Sequence, residues 1–268
     1  MAELNYAVVG NPVAHSMSPQ IHNYFAAQFN FKSYSYIKLL STEMDFKKTV
    51  DNFFIDGGNG LNITVPFKLA AHNLCDTLDE TAARCGSVNT LKKELGKIKG
   101  YNTDGLGFID DLIRKNVKFN NSKILILGAG GSAMSIISSL LNKAGGSKIS
   151  ILNRTMSKAD KLIEFFNSTN LNIHKSDSFY DLVVNTTPIS MSDERINFPS
   201  SFFKSSTICY DLFYSKQRTL FQEWSRSQGI KYSYDGLGML IEQAKHSFTI
   251  WNNKIPDISG LESKLRLI

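Results

Sequence analysis

Lys123-Ile-Leu-Ile-Leu-Gly-Ala-Gly-Gly-Ser-Ala133 is a short apolar run that breaks into glycines and then into a helix-like pattern. Downstream, Ile149-Ser-Ile-Leu-Asn-Arg-Thr155 is a second apolar run, ending on a basic residue. The two stretches read as strand, phosphate-binding turn, helix and strand. Gly128, Gly130 and Ala133 fit the pattern G-x-G-x-x-G/A. The first glycine permits a tight turn off the strand, the second leaves room for a pyrophosphate, and the small Ala133 lets the helix pack closely on the strand. A helix starting near Ser132 would aim unpaired backbone N–H groups and its positive dipole end at phosphate. A Gly-rich turn also serves plain strand–helix connections, so its place after a β-rich run is what points to a dinucleotide.

The end of the second strand discriminates between cofactors. NAD sites usually place Asp or Glu about 20 residues after the glycines, to hold the ribose 2′-hydroxyl. Here the strand ends in Asn153-Arg-Thr155, with Lys158 close behind. A carboxylate there would repel a 2′-phosphate, whereas a guanidinium attracts it through paired charge-assisted hydrogen bonds. Arg154 can also lie flat on an adenine face. The reading is NADP rather than NAD.

The 268 residues suffice for one large domain or two ordinary ones. The formal net charge of +6 suits an anionic cofactor and substrate. Because the basic residues are scattered, it does not point to nucleic acid. The densest cluster, Lys92, Lys93, Lys97 and Lys99, flanks Glu94-Leu-Gly96 and reads as a solvated hairpin. The start Met1-Ala-Glu-Leu-Asn-Tyr6 lacks a basic stretch followed by a long apolar one, so no signal peptide is expected. No apolar segment approaches a membrane span. Cys75, Cys85 and Cys209 show no metal-ligand spacing, nor do the five histidines, so no metal is expected and the thiols read as free in a reducing cytoplasm.

The front of the chain alternates strands and helices. Leu4–Val9 reads as a strand and Ser18–Phe29 as a helix, with Ser18 as N-cap and Pro19 at the first helical position. Strand 33–40, helix 42–54, strand 60–65 and helices 68–75 and 79–84 follow, then a hairpin of 87–91 with 97–101 and a helix from 103 to about 115. After the cofactor unit come strands 181–185 and 207–211, apolar with little alternation as in buried parallel strands. The 172–175 stretch reads as a short strand between them. A helix 220–228 ended by Gly229, a strand 231–234, a long amphipathic stretch from Gly238 to Trp251 and a last helix 259–265 complete the reading. The fold class is α/β, in two α/β domains: residues 1–104, a Rossmann-type dinucleotide-binding domain 105–238, and final helices 239–268 returning to the first domain.

Four polar motifs sit at strand ends outside the dinucleotide unit: Ser16-Met-Ser18, Asn62-Ile-Thr-Val-Pro-Phe-Lys68, Ser87-Val-Asn89 and Asn102-Thr-Asp104. Ligands of open α/β sheets bind at such ends. Hydroxyls, amides, one ammonium and one carboxylate suit a small polyhydroxy acid. A hydride leaving an alcohol carbon requires the hydroxyl proton to leave too, and Lys68 with Asp104 can handle that proton. Two roles are open to Lys68: a charged lysine that stabilises a developing alkoxide, or a buried lysine of lowered pKa that acts as base. Spacing alone fits a surface salt bridge equally well.

With these motifs in order, the chain resembles the shikimate dehydrogenase family almost end to end. The matching segments are Tyr6-Ala-Val-Val-Gly-Asn-Pro12, His15-Ser-Met-Ser-Pro19, Asn62-Ile-Thr-Val-Pro-Phe-Lys68, Gly86-Ser-Val-Asn-Thr90, Tyr101-Asn-Thr-Asp-Gly105, Gly128-Ala-Gly-Gly131, Asn153-Arg-Thr155 and Asp235-Gly-Leu-Gly-Met-Leu-Ile-Glu-Gln243. The resemblance implies reversible NADPH-dependent reduction of 3-dehydroshikimate to shikimate, on the route to chorismate and aromatic amino acids, in two domains flanking a cleft. It implies a cytoplasmic monomer or homodimer with small-molecule partners only, neither nucleic acid nor membrane. It makes Ser16 and Ser18 carboxylate ligands, Thr64, Asn89, Asp104 and Gln243 ligands of the substrate hydroxyls, Lys68 and Asp104 the catalytic pair, and Tyr214 a substrate-side tyrosine. It assigns Gly128, Ala129, Gly130, Gly131, Ser132, Asn153, Arg154, Thr155 and Lys158 to the cofactor, with Thr186, Thr187, Gly236 and Met239 at its nicotinamide end.

Two departures stand out. The family loop after Asn185 usually carries small residues and a glycine, where this chain has Thr186-Thr-Pro-Ile-Ser190. The family Thr-Pro pair after Tyr214 is replaced by Arg218-Thr-Leu220. Rival readings are a quinate-preferring relative, separable by rates on the two acids; a methylenetetrahydrofolate dehydrogenase, for which no aromatic platform lies beside Lys68; and a non-catalytic NADPH-binding regulator, which would not need both Lys68 and Asp104.

Overall fold

The computed structural model describes residues 4–176, 178–191, 198 and 202–267. Two compact units emerge: residues 1–107 with 240–261, and residues 108–239 with 262–268.

The first unit is built on a mixed six-stranded sheet. Its strands are β1 (Leu4–Gly10), β2 (Tyr34–Leu40), β3 (Gly60–Ile63), β4 (Thr77–Leu78), β5 (Thr90–Glu94) and β6 (Lys97–Tyr101), in the order β2-β1-β3-β5-β6-β4. The first three run parallel, as βα units demand, and the β5–β6 hairpin enters antiparallel to β3. Helices α1 (Ser18–Ala27), α2 (Phe46–Ile55), α3 (Lys68–Leu74) and α4 (Glu80–Cys85) connect them. Helix α2 buries Phe46, Val50 and Phe54, one residue per turn, so a single stripe meets the sheet. The Asp79 carboxylate caps α4 at the Ala82 N–H, 2.9 Å away, and Gly86 ends it in the left-handed region at φ 66°.

The second unit carries six strands, all parallel: β7 (Lys123–Leu127), β8 (Lys148–Leu152), β9 (Leu171–Ile173), β10 (Leu182–Asn185), β11 (Ile208–Asp211) and β12 (Tyr232–Tyr234). Their order, β12-β11-β10-β7-β8-β9, is the doubly wound Rossmann arrangement, with its reversal between β7 and β10. Helix α5 (Asp104–Arg114) leads into the unit, and α6 (Gly131–Lys143), α7 (Met156–Phe166) and α8 (Leu220–Ser227) lie within it. Ala133, Ile136, Ile137 and Leu140 form the buried stripe of α6 and join Ile124 and Ile126 of β7 in the main core. Helix α9 (Leu237–Asn252) passes from the second unit back into the first, and α10 (Leu261–Arg266) closes the chain. Among the described residues, no helix is long and apolar enough to cross a membrane.

Several expectations need correcting. Ser18 is not the N-cap of α1: Met17 holds that position with no side-chain cap hydrogen bond, and the Ser18 hydroxyl lies against Ser16 instead. Helix α2 starts at Phe46 rather than 42, because the Thr42 hydroxyl donates to Asp45 Oδ2 at 2.7 Å and folds residues 42–45 into a turn. Strand β3 stops at Ile63, since the residues leading to Pro66 turn away: the Phe67 N–H donates to Thr64 O. The short strand expected at 172–175 is Leu171–Ile173 and sits at the sheet edge beside β8, not between β10 and β11. The last residues, 262–268, belong to the second unit rather than returning to the first. Charge decides this: the Arg266 guanidinium grips Asp235 through two bonds of 2.9 and 2.7 Å, and Glu262 accepts from Arg114 and Lys115.

Candidate active site

In the first unit three of the four polar motifs, those of Asn62–Lys68, Ser87–Asn89 and Asn102–Asp104, converge on one buried network. Lys68 opens α3 and Asp104 opens α5, and the Lys68 ammonium donates to Asp104 Oδ2 at 2.5 Å. Their side chains are only 12% and 8% exposed, which rules out a surface salt bridge. Asp104 Oδ1 accepts from Asn89 Nδ2 at 2.8 Å. The same amide nitrogen approaches Thr103 Oγ1 (2.9 Å) and Gln243 Oε1 (3.3 Å), while Asn89 Oδ1 accepts from the Thr103 N–H and the Thr90 hydroxyl at 2.9 Å each. Gln243 comes from α9, so a residue far along the chain completes the amide set.

The network runs deeper than the residues first singled out. Ser247, one helical turn after Gln243, lies 2.8 Å from Thr90 Oγ1 and 3.2 Å from Thr103 Oγ1, and accepts from Asn62 Nδ2 at 3.0 Å. Asn62 Oδ1 in turn accepts from the Tyr36 hydroxyl at 2.7 Å. Asn62 and Thr103 stood in the motifs quoted above without a role. Ser247 could have been found from its i+4 spacing to Gln243. Tyr36 and His22 carry no such signal. The His22 ring stacks on Tyr36 with centroids 4.3 Å apart and is fully buried, and by hydrogen-bond geometry neither nitrogen has a partner among the described residues. Burial pushes its pKa down from 6.5 to about 3.

The two serines meet as expected: the Ser16 hydroxyl donates to Ser18 Oγ at 3.1 Å, and Ser16 Oγ accepts from the Ser18 N–H at 3.3 Å. Thr64 follows β3 beside Gly10, where a Cβ on Gly10 would fall 2.3 Å from the Thr64 methyl. Tyr214 belongs to the second unit and stacks on Phe213 at 6.1 Å.

In the second unit the dinucleotide turn lies at the reversal point of strand order. Gly128 takes φ 108°, a conformation that L side chains rarely adopt, and a Cβ there would come within 2.5 Å of Thr186 Oγ1. Gly130 precedes α6, and a Cβ at that position would meet nothing within 4 Å. The space beside Gly130, the N-terminal N–H groups of a 13-residue helix and the following Ser132 fit a pyrophosphate. Ala133 is fully buried against the strand, as its small size requires.

At the end of β8 the Asn153 amide donates to Thr155 O at 2.8 Å and shapes the turn that presents Arg154. Arg154 and Lys158 are exposed, and neither is ion-paired with an acid among the described residues. Two cations therefore face solvent at and just beyond the end of β8. Gly236 donates its N–H to Phe213 O, and a Cβ on it would lie 2.1 Å from Leu212 O, so only glycine fits there. Met239 is buried in the main core.

The loop after Asn185, whose shape the sequence left open, forms a 3₁₀ turn over Pro188–Met191. The replaced Thr-Pro pair has a clear consequence too. Thr219 caps α8, accepting from Gln222 N at 3.2 Å, while Gln222 Oε1 accepts from the Thr219 N–H at 3.0 Å.

Comparison with known proteins agrees with this geometry. Residues 8–91 match the family model of the shikimate dehydrogenase substrate binding domain. Residues 111–191 match that of shikimate/quinate 5-dehydrogenase, and residues 236–266 that of the shikimate 5′-dehydrogenase C-terminal domain. Among solved structures, an Ael1 enzyme from Pseudomonas putida is 35% identical, with 98% of each chain covered and a TM-score of 0.88. Shikimate dehydrogenase from Aquifex aeolicus is 31% identical over 99% of this chain and 97% of its own, with a TM-score of 0.87. Shikimate 5-dehydrogenase from Thermus thermophilus, in complex with NADP(H) and shikimate, is 28% identical over 98% and 99%, with a TM-score of 0.86. Family models that together span most of the chain, and relatives matched nearly end to end, lead to one assignment: the chain belongs to the shikimate dehydrogenase family of oxidoreductases, which interconvert shikimate and 3-dehydroshikimate.

Proposed function

We propose that this chain reduces 3-dehydroshikimate to shikimate reversibly with NADPH, in the cytoplasm, with Lys68 and Asp104 handling the proton. The observation that carries the reading is the buried 2.5 Å contact between Lys68 and Asp104 inside a cage of amides and hydroxyls. In the reducing direction a ketone oxygen gains negative charge, and the Lys68 ammonium next to it stabilises that charge and supplies the proton. In the oxidising direction the pair takes the hydroxyl proton. Asp104 keeps Lys68 aimed, because its other oxygen is held by Asn89. Asn89 and Gln243 orient the ring hydroxyls, Thr64 adds a further hydroxyl contact, Tyr214 serves as the substrate-side tyrosine, and Ser16 with Ser18 takes the carboxylate.

The nicotinamide supplies or accepts the hydride when bound. The protein holds its pyrophosphate at Gly128, Ala129, Gly130, Gly131 and Ser132, and its 2′-phosphate at Asn153, Arg154, Thr155 and Lys158. Thr186, Thr187, Gly236 and Met239 serve the nicotinamide end. Relatives occur in complexes with NADP(H) and with NAD. Arg154 and Lys158, not ion-paired with any acid among the described residues, and the lack of a carboxylate at the strand end favour NADP here. Three free cysteines accord with a reducing compartment.

The test is direct: purified protein with shikimate and NADP, followed at the absorbance of reduced nicotinamide, and repeated with quinate and with NAD. Turnover greatest with shikimate and NADP is the expected result. No turnover, or a clear preference for quinate or for NAD, overturns the corresponding part of the assignment.

A further inference from the structure

The carboxyl ends of β10 and β11 hold a buried acid that no step above uses. Asp211 is fully buried, and among the described residues every contact to its carboxylate comes from a hydroxyl, an amide or a backbone N–H. Oδ1 accepts from Asn185 Nδ2 at 2.9 Å and from the Phe213 N–H at 3.2 Å. Oδ2 accepts from the Ser190 hydroxyl at 2.6 Å. Burial raises its pKa, and these donors work against that rise.

The donors bracket one loop. Asn185 stands just before Thr186 and Thr187, and Ser190 just after them. Asn185 Oδ1 accepts from both the N–H (3.1 Å) and the hydroxyl (2.6 Å) of Thr187. The Thr186 hydroxyl donates to Leu127 O at 2.7 Å, at the root of the glycine turn. Ser190 spends its single proton on Asp211 and accepts the Phe221 N–H of α8 at 3.2 Å, so it ties the loop to that helix as well.

We propose that Asp211 and Ser190 form a latch that fixes the Thr186–Thr187 loop and thereby seats the nicotinamide half of the cofactor. The proposal rests on the reading above that this loop serves the nicotinamide end. Asp211 and Ser190 are positioning residues: they act through the loop and touch neither ligand.

The latch predicts a split between the two halves of the cofactor. Binding of NADPH and of adenosine 2′,5′-bisphosphate, which lacks the nicotinamide, is measured by calorimetry on the purified protein. In Ser190→Ala the dissociation constant for NADPH rises roughly tenfold, the value of one hydrogen bond to a charged group, and that for the bisphosphate stays within twofold. Ser190→Thr, which keeps the hydroxyl, binds NADPH like the parent. Asp211→Asn gives the same split and serves if Ser190→Ala does not fold. Equal weakening of both ligands, or no change in either, overturns the latch. Thr187→Val separates the two failures. If it alters the split while Ser190→Ala does not, only the latch is wrong. If neither variant alters the split, the loop does not serve the nicotinamide, and latch and loop assignment fall together.

Discussion

The two candidate ligand-binding regions are organised in opposite ways. In the first unit the Lys68–Asp104 site is closed on itself. Asn89, Thr90, Thr103, Gln243, Ser247, Asn62 and Tyr36 bond one another, and nearly every polar group has a protein partner. In the second unit the glycine turn has open space at Gly130, and the strand end beside it carries exposed cations at Arg154 and Lys158. The difference follows from what each must do. A group that handles a proton needs its geometry fixed before substrate arrives, and buried satisfied networks supply that rigidity. A pyrophosphate is gripped by backbone N–H groups that are already rigid in the helix terminus, and a 2′-phosphate by solvated cations that give up little on binding.

The comparison can be broken most forcefully at Lys68. Lys68→Ala should lower kcat by ~10²–10⁴-fold, the usual range for a positioned acid or base, while calorimetry finds NADPH binding unchanged. A variant that turns over like the parent removes Lys68 from the chemistry. Next in size is Arg154→Ala, which should raise the KM for NADPH by about 10–100-fold, the loss of charge-assisted bonds to phosphate, and leave that for NADH nearly unmoved. Equal effects on both cofactors would place the 2′-phosphate elsewhere.

The buried network carries its own pH signature through His22. Burial lowers its pKa from 6.5 to about 3, so between those values the unfolded chain binds a proton that the folded chain refuses. Stability at His22 is therefore lost as pH falls through that window. His22→Phe keeps the ring stack on Tyr36 and removes the proton site. On going from pH 7 to 4.5, urea denaturation should show the parent losing about 2 kcal/mol more than the variant. Parallel losses would mean that the imidazole is protonated in the fold. The smallest expected effect is at Ser16: Ser16→Ala should raise the KM for shikimate by roughly tenfold, the loss of one hydroxyl bond to a carboxylate, with kcat and the KM for NADPH preserved. An unchanged KM would move the carboxylate site away from the serine pair.

How much of this was legible beforehand divides along the same line. The turn at Gly128, the strand end at Arg154 and the helix after Gly130 are encoded within about 30 consecutive residues. Their steric and charge requirements could be read without a fold. The polar motifs of the first unit were also visible, but not their wiring. Lys68 and Asp104 are 36 residues apart, and Asn89 and Gln243 are 154 apart. Spacing could not separate a buried pair from a surface one. The misplaced N-cap at Ser18 and the early start given to α2 have a local cause: short hydroxyl and carboxylate side chains can fold a turn as readily as cap a helix. The final residues were assigned to the first unit because an amphipathic pattern shows that a helix packs, not against what.

Sequence alone determined the alternation of strands and helices, the glycine turn, the positive strand end and the residue types available for catalysis, because each depends on neighbours along the chain. Only the tertiary structure decided that Lys68 meets Asp104, that Ser247, Asn62 and Tyr36 stand behind them, and that Arg266 holds the last helix to Asp235. Those contacts join residues far apart in the chain, and their energies come from burial and from hydrogen bonds that do not exist until the sheets and helices have packed.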